Sequence, residues 1–276
     1  MSREVWSGYM AESIRPLVGV SLKLHLGYRE SLRWLRTVAE TCAGRGELFV
    51  LPAYPLLPAA AEALAGTGVR FGAQDVAAAA GGAYTGEVSA RMLAELGASF
   101  AEVGHAERRR FFGETDAVVA AKVAAAIGAG LIPVVCVGEA DRVAPATATR
   151  RALEQLDRAT DGAPVDAPLV VAYEPVWAIG ANRAAGPAHI LSVIAALRDR
   201  LADRAGAAAV LYGGAAGPGI FPDLAAAAGD PSDLPDGLFV GRAGLDVPAL
   251  GRILDEVTGA IARGTIHQEA ACRVLP

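Results

Sequence analysis

The sequence predicts an α/β protein with one domain, a closed (β/α)₈ barrel. Its 276 residues are a length that such barrels reach as a single domain. Eight short apolar runs alternate with segments of helical periodicity, an alternation typical of a parallel sheet. No change in composition marks a linker between two domains. We therefore predict a barrel at residues 17–262, a lead-in at 1–16 and a tail at 263–276.

The strands are predicted where the apolar runs are short and continuous. Such runs form strands that are buried on both faces, as in a parallel sheet covered by helices. Each run is followed by a polar residue, a glycine or a proline that ends it. The predicted strands span residues 17–22, 48–51, 69–74, 99–103, 131–137, 168–174, 209–212 and 238–240.

The helices are predicted between these strands. In the first of them Leu32, Leu35 and Val38 recur at the spacing of one helical face. Thr115 is a predicted N-cap, and Pro187 occupies the first position of its helix. The predicted helices span residues 28–42, 56–65, 90–96, 115–127, 147–158, 187–201 and 247–261.

Composition excludes several classes of function. Hydrophobic residues make up 53% and charged residues 20%, which indicates a large core rather than disorder. The net charge of −5 argues against a nucleic-acid partner. With no signal-peptide core and no long uncharged apolar run, we expect a cytoplasmic protein without membrane contact. The three cysteines are widely spaced, and no His and acidic cluster is present, so we expect no metal site.

Glu174 lies where the sixth strand is predicted to end, so its carboxylate should point out of an apolar barrel. Pro175 follows and stops the strand, because it has no N–H to donate. The next segment is too apolar for an idle surface loop, which predicts a lid that closes over a ligand. A buried base under a water-excluding lid suits proton abstraction, whereas a Glu paired with a Lys or Arg beside a packed loop is the alternative. The predicted lid residues are Val176, Trp177, Ala178, Ile179, Gly180, Ala181 and Asn182.

Other polar residues also follow predicted strands. Lys23 would bind an anionic substrate and offset charge on an oxygen, or it would only pair with Glu107. His105 lies beside a helix N-terminus that disfavours its protonated form, although a structural role is the alternative. The carboxyl ends of barrel strands share one mouth, so these side chains should converge there with Glu174. Gln74 and Glu139 are expected at the same mouth.

Glycine-rich turns follow the seventh and eighth strands. Residues 212–217 read Tyr-Gly-Gly-Ala-Ala-Gly, and residues 240–244 read Val-Gly-Arg-Ala-Gly. Loops in these two positions commonly bind phosphate through backbone N–H groups. Together the two turns predict a phosphate site, although either turn alone could simply change the direction of the chain.

Residues 172–180, Ala-Tyr-Glu-Pro-Val-Trp-Ala-Ile-Gly, resemble the signature of the triosephosphate isomerases. Gly-Ala-Gln-Asp at 72–75, Gly-His at 104–105 and Cys-Val-Gly-Glu at 136–139 match the same family in order and spacing. The resemblance implies a TIM barrel that isomerises a sugar phosphate through an enediol(ate), without cofactor or metal. It implies Glu174 as the base, neutral His105 as the proton shuttle and Lys23 as the group that holds the oxyanion and phosphate.

The resemblance also supplies further site residues. It implies Glu107 and Cys136 as supporting residues, and a homodimer in which the loop of Tyr84 and Thr85 reaches the neighbouring subunit's site. The substrate- and phosphate-binding residues that it implies are Ser21, Gly180, Gly213, Gly214, Ala215, Gly241 and Arg242.

The chain departs from the triose enzymes around the substrate. Ser21 replaces an Asn, Ala215 a Ser, and Arg242 the second Gly of a Gly-Gly pair. Residues 19–23 and the Gly-Arg pair at 241–242 resemble the tetrulose-phosphate isomerases, which implies conversion of L-erythrulose 1-phosphate to D-erythrulose 4-phosphate. An ordinary triosephosphate isomerase and a non-catalytic barrel that binds a phosphorylated metabolite remain alternatives. The sequence leaves open whether Arg242 points into the phosphate pocket.

Overall fold

Eight parallel strands close into a barrel in sequence order. The computed structural model describes residues 16–181 and 184–272, with side chains as far as Ile261; nearly all of the lead-in, Asn182, Arg183 and the end of the tail lie outside this part. The first strand pairs in parallel with both the second and the eighth, which closes the barrel. The strands are β1 (Leu17–Ser21), β2 (Glu47–Leu51), β3 (Arg70–Ala73), β4 (Phe100–Val103), β5 (Ile132–Val137), β6 (Leu169–Tyr173), β7 (Ala208–Tyr212) and β8 (Gly237–Val240).

Helices fill the connections and cover the outside of the barrel. As predicted, Thr115 caps its helix, accepting a hydrogen bond from the N–H of Val118, and Pro187 begins another helix. The helices are α1 (Tyr28–Thr41), α2 (Leu57–Ala63), α3 (Ala90–Glu95), α4 (Ala106–Phe112), α5 (Asp116–Gly128), α6 (Pro145–Ala159), α7 (Pro187–Leu201), α8 (Ile220–Ala227) and α9 (Val247–Cys272).

Alternate strand residues point into the barrel and form its inner core. Phe49 and Phe100 stack there with ring centroids 4.2 Å apart. A Cβ at Gly19 would lie 2.2 Å from the Phe49 ring, so only glycine fits at that point of β1. Near the carboxyl ends of the strands, some of the inward-pointing positions are occupied by polar residues. It brings Ser21 on β1 and Glu102 on β4 to the mouth of the barrel.

Two helices and one helix end differ from the sequence prediction. The prediction missed α4 and α8, and the predicted end of the last helix at residue 261 is wrong, because α9 continues to Cys272. No residue of α4 is buried, so it carries no apolar periodicity to detect. Among the described residues, no helix is both long and apolar enough to cross a membrane.

Candidate active site

A cavity of 480 Å³ opens at the carboxyl end of the barrel. It is formed by the loops after β1, β6, β7 and β8, and by Glu107 from α4. It gathers most of the residues that the sequence predicts for the site. Those that line it are Ser21, Lys23, Glu107, Glu174, Ile179, Gly180, Ala181, Gly214, Ala215, Gly241 and Arg242.

Glu174 follows β6 and turns its side chain into the barrel mouth, where it is only 7% exposed. Its backbone N–H donates to Val137 O at 2.8 Å, which fixes the end of the strand. Two glycines make room for it. A Cβ at Gly138 would lie 1.9 Å from Glu174 O, and one at Gly213 would lie 2.5 Å from Glu174 Cγ. Gly213 therefore contacts the Glu174 side chain, whereas the next residue, Gly214, lines the cavity.

His105 forms the N-cap of α4, and its orientation is set by that cap. Its Nδ1 accepts a hydrogen bond from the N–H of Glu107 at 3.1 Å, so the neutral ring carries its proton on Nε2. That Nε2 lies 3.4 Å from Oε2 of Glu174. Both atoms are buried, and neither has a hydrogen-bond partner within the described part of the chain. Since buried polar atoms are normally paired, this arrangement suits the polar groups of a ligand.

Lys23 has a strained backbone that the barrel holds in place. Its φ is 47°, in the left-handed region that side chains rarely adopt. Gln74 fixes it, because Nε2 donates to Lys23 O at 3.1 Å and to Leu51 O at 2.9 Å. The Lys23 ammonium donates to Glu107 Oε1 at 2.8 Å and also lines the cavity. Burial alone would lower the pKa of Lys23, but Glu107 and Glu174 raise it above its ordinary value, so Lys23 is charged at neutral pH.

Glu102 is a site residue that the sequence prediction missed. It points inward from β4 and is 3% exposed. Ser21 Oγ donates to its Oε2 at 2.8 Å. Burial raises the pKa of Glu102 to about 7, against the opposing effect of His105. The available signal was an acidic residue inside an otherwise apolar four-residue strand, since a charge there must have a reason.

The lid begins with a 3₁₀ turn, Val176–Ala178, that docks on the barrel. Trp177 Nε1 donates to Glu139 Oε1 at 2.8 Å. Glu139 is fully buried and also accepts from the Tyr173 hydroxyl at 3.1 Å, with His189 Nε2 3.0 Å away. Glu139 therefore lies beneath the lid and not in the cavity, unlike its predicted place at the mouth. The next lid residues, 179–181, reach the cavity wall, while Asn182 lies outside the described residues.

Arg242 points into the cavity, which answers the question that the sequence left open. Its Nη2 donates to the carbonyl oxygen of Gly180 in the lid at 2.9 Å. Gly214, Ala215 and Gly241 lie on the same wall. This wall presents backbone groups and one guanidinium, a combination that suits an anion.

The remaining predicted residues lie around the site or away from it. Burial raises the pKa of the Cys136 thiol well above its ordinary value, and this residue lies beside Glu174. Tyr84 and Thr85 are exposed in the loop after β3. In the described ranges, no group of three or more His, Cys, Asp or Glu side chains is placed to hold a metal ion.

Comparison with known proteins places this geometry in a family. The family model for triosephosphate isomerase matches residues 16–257. The L-erythrulose-1-phosphate isomerase of Pectobacterium atrosepticum is 42% identical over 251 residues, which cover 87% of this chain and 94% of the relative. The triosephosphate isomerase of Thermus thermophilus is also 42% identical over 251 residues, covering 87% of this chain and 98% of the relative.

A solved structure agrees with these matches. The triosephosphate isomerase of Bartonella henselae superposes with a TM-score of 0.74 at 32% identity, covering 88% of this chain and 98% of that one. A second L-erythrulose-1-phosphate isomerase, from Rhizobium etli, is 37% identical and covers 94% of this chain and 98% of the relative. The predicted barrel and the predicted family are both confirmed. The chain belongs to the triosephosphate isomerase family.

Proposed function

We propose that this chain is a cofactor-independent isomerase that converts L-erythrulose 1-phosphate to D-erythrulose 4-phosphate. One observation carries the proposal. Glu174 Oε2 and His105 Nε2 lie 3.4 Å apart, both buried and unpaired within the described residues, in the site where Lys23 also lies. A carboxylate, a neutral imidazole and an ammonium around one cavity are the groups that proton transfer next to a carbonyl requires.

The reaction needs only these groups. Glu174 takes a proton from the carbon next to the carbonyl, which gives an enediol(ate). His105, with its proton on Nε2, donates to the former carbonyl oxygen and accepts the proton of the neighbouring hydroxyl. Glu174 then returns its proton to the former carbonyl carbon. Lys23 offsets the negative charge that develops on the oxygen during both transfers.

The lid protects the intermediate. An enediolate that carries a phosphate on the next carbon can lose it by elimination when water and bulk solvent reach it. The docked Trp177 and the cavity-lining residues 179–181 support a closed cover over the reacting carbons. The sequence-based expectation of a lid from Val176 to Asn182 is part of this proposal.

The preference for a four-carbon ketose rests on a cavity residue that differs from its counterpart in the triose enzymes. The tetrulose phosphate carries a hydroxymethyl group on the reacting carbon where the triose phosphate carries a hydrogen. Ser21 is smaller than the Asn of the triose enzymes, and its hydroxyl is held by Glu102. An ordinary triosephosphate isomerase is the second candidate, supported by the Thermus relative with the same 42% identity.

We also propose that the chain works as a homodimer. Large apolar side chains are exposed on loops and helices that follow β1, β3 and β4, three of the first four strands of the barrel. A second copy of the chain would cover them, and the loop of Tyr84 and Thr85 would then approach the neighbouring Lys23. The exposed large apolar residues in this region are Leu24, Tyr28, Tyr84, Met92, Leu96, Phe111 and Phe112.

A turnover comparison tests the substrate. We expect kcat/KM for L-erythrulose 1-phosphate to exceed that for glyceraldehyde 3-phosphate by about tenfold or more, because the cavity has room for the extra carbon. A preference for the triose of about a thousandfold, or about 4 kcal/mol in transition-state binding, would assign the ordinary triose reaction instead. Binding of both compounds with turnover of neither would show a non-catalytic barrel.

A further inference from the structure

The guanidinium of Arg242 stands at the junction of the lid and the loop after β8. Nη2 donates to the lid carbonyl of Gly180, and a Cβ added to that glycine would lie 3.1 Å from the same atom. Within the described residues, this is the one hydrogen bond of the side chain, and no carboxylate there forms an ion pair with it. A guanidinium has five N–H donors, so most of them remain for a ligand.

The carboxylates of the same cavity do not neutralise Arg242. Glu107 is engaged by Lys23 at 2.8 Å, and Glu174 faces His105 at 3.4 Å. The wall of Arg242 otherwise presents small residues that carry no charge, among them Gly214. The guanidinium is exposed to solvent, and its positive charge is available to an anion that enters this end of the cavity.

The backbone that carries the Arg242 side chain is fixed by hydrogen bonding and packing. It belongs to a 3₁₀ turn, Arg242–Leu245, whose Gly244 O accepts from Trp34 Nε1 at 3.0 Å. A Cβ at Gly244 would lie 2.7 Å from Val20, so this turn packs directly on β1. Because the turn is already fixed, little backbone entropy is lost when a ligand binds to the side chain.

We propose that Arg242 binds the substrate phosphate and the lid carbonyl with one guanidinium, so that phosphate occupancy and lid position are coupled. The inference rests on the proposed function, because it assigns a phosphate-binding and lid-positioning residue to that site. A planar guanidinium has N–H donors in fixed directions, so it can donate to two acceptors at once. A lysine ammonium, a compact charge on a flexible stem, would attract the phosphate without holding the lid in the same way.

The test compares Arg242→Ala, Arg242→Lys and the unchanged protein. Inorganic phosphate is the probe, its affinity is measured by titration, and the lid is followed by Trp177 fluorescence, assigned in a Trp177→Phe background. We expect Arg242→Ala to weaken phosphate binding by about ten- to a hundredfold, the effect of a charge-assisted hydrogen bond. Arg242→Lys should recover most of that affinity but not the fluorescence change.

Arg150→Ala is the matched control, since Arg150 pairs with Glu154 on the exposed face of α6 and its loss removes the same charge. It should bind phosphate within about twofold of the unchanged protein. Phosphate affinity of Arg242→Ala within about twofold of that control would overturn the inference, as would a full lid response in Arg242→Lys. If the unchanged protein shows both responses but isomerises neither sugar phosphate, the proposed function fails while the role of Arg242 in phosphate binding stands.

Discussion

Glu102 is a carboxyl group whose charge the folded protein disfavours. It is 3% exposed, and in the described chain the hydroxyl of Ser21 donates a hydrogen bond to its Oε2 at 2.8 Å. Burial raises its pKa to about 7, close to neutral pH. A site that contains both Glu102 and Glu174 therefore holds fewer negative charges than its composition implies, which favours an anionic substrate.

This pKa predicts a pH-dependent stability. Because the folded pKa lies above the unfolded value, the contribution of Glu102 is fully present below about pH 4.5 and is lost as pH rises through about 7. Glu102→Gln removes that dependence. Between about pH 4.5 and 8, the free energy of unfolding of the unchanged protein should fall by roughly 3 kcal/mol relative to the variant, measured by urea unfolding. A difference that stays constant over this range would contradict the raised pKa.

At the residue scale, the sequence predicted which side chains would meet but not how each is held. Strand ends alone were enough to place Glu174, His105 and Lys23 around one mouth. The positive φ of Lys23 and its hydrogen bond from Gln74 could not be predicted, because they depend on three loops that are remote in sequence. Glu102 was missed because its apolar neighbours make the strand look uniformly buried.

The ends of β6 and β7 act together to position the base. Gly213 follows β7, and its N–H donates to Tyr173 O at 2.8 Å. This close approach brings its Cα against the Glu174 side chain, where a Cβ would lie 2.5 Å from Cγ. The glycine after β7 is thus required by the position of the Glu174 carboxylate, whereas Gly214 is the glycine of this pair that lines the cavity.

Gly213→Ala should therefore displace the carboxylate. The backbone φ of Gly213 is not in the left-handed region, so the fold should tolerate the added methyl while Glu174 moves away from His105. We expect kcat to fall about a hundredfold or more with little change in KM, because a misplaced base loses orientation. Gly186→Ala, where a Cβ meets nothing within 4 Å, is the control and should keep full activity. Equal kcat for the two variants would show that Gly213 does not position the base.

At the element scale, strands were easier to predict than helices. Each strand is a short apolar run closed by a breaker, and observed and predicted strand ends agree within one or two residues. The helix α8 was missed because it is short and follows a glycine-rich loop. The last helix was predicted to end at residue 261, but α9 continues to Cys272 with Gly264 inside it. A single glycine costs a helix only about 1 kcal/mol, which neighbouring turns can offset.

Several large apolar side chains are exposed at the carboxyl end of the barrel, after β1 and β4. Phe111 and Phe112 on α4 are 65% and 68% exposed, and Leu24 beside Lys23 is 90% exposed. Apolar residues of this size are rarely left together in water, so contact with a second copy would stabilise them. Such contact would also restrict the loop that carries Lys23.

Introducing one charged residue among these exposed apolar side chains tests the proposed homodimer. Phe112→Glu should give a monomer in sedimentation velocity, because a carboxylate in an apolar interface is costly. The control is Val165→Glu, since Val165 is 63% exposed in the loop before β6, at the opposite end of the barrel. It should remain dimeric. Sedimentation of the unchanged protein as a monomer would refute the dimer directly.

At the scale of the whole molecule, eight repeats predicted the closed barrel, and closure of β1 on β8 confirms it. The cavity could not be predicted from the repeats, because its walls come from loops whose conformations depend on packing. Arg242 illustrates the limit. Its departure from the family was visible in the sequence, whereas its contact with the lid appears only in three dimensions.

The central claim is that Glu174 moves a proton between neighbouring carbons, and exchange with heavy water tests it most directly. Incubated with L-erythrulose 1-phosphate in heavy water, the unchanged protein should place deuterium on the carbon that receives the proton. Glu174→Gln should lower both deuterium incorporation and kcat by about a hundredfold or more, with phosphate affinity nearly unchanged. Glu154→Gln, on an exposed helix, should behave as the unchanged protein does. Incorporation by Glu174→Gln at the unchanged rate would contradict the account.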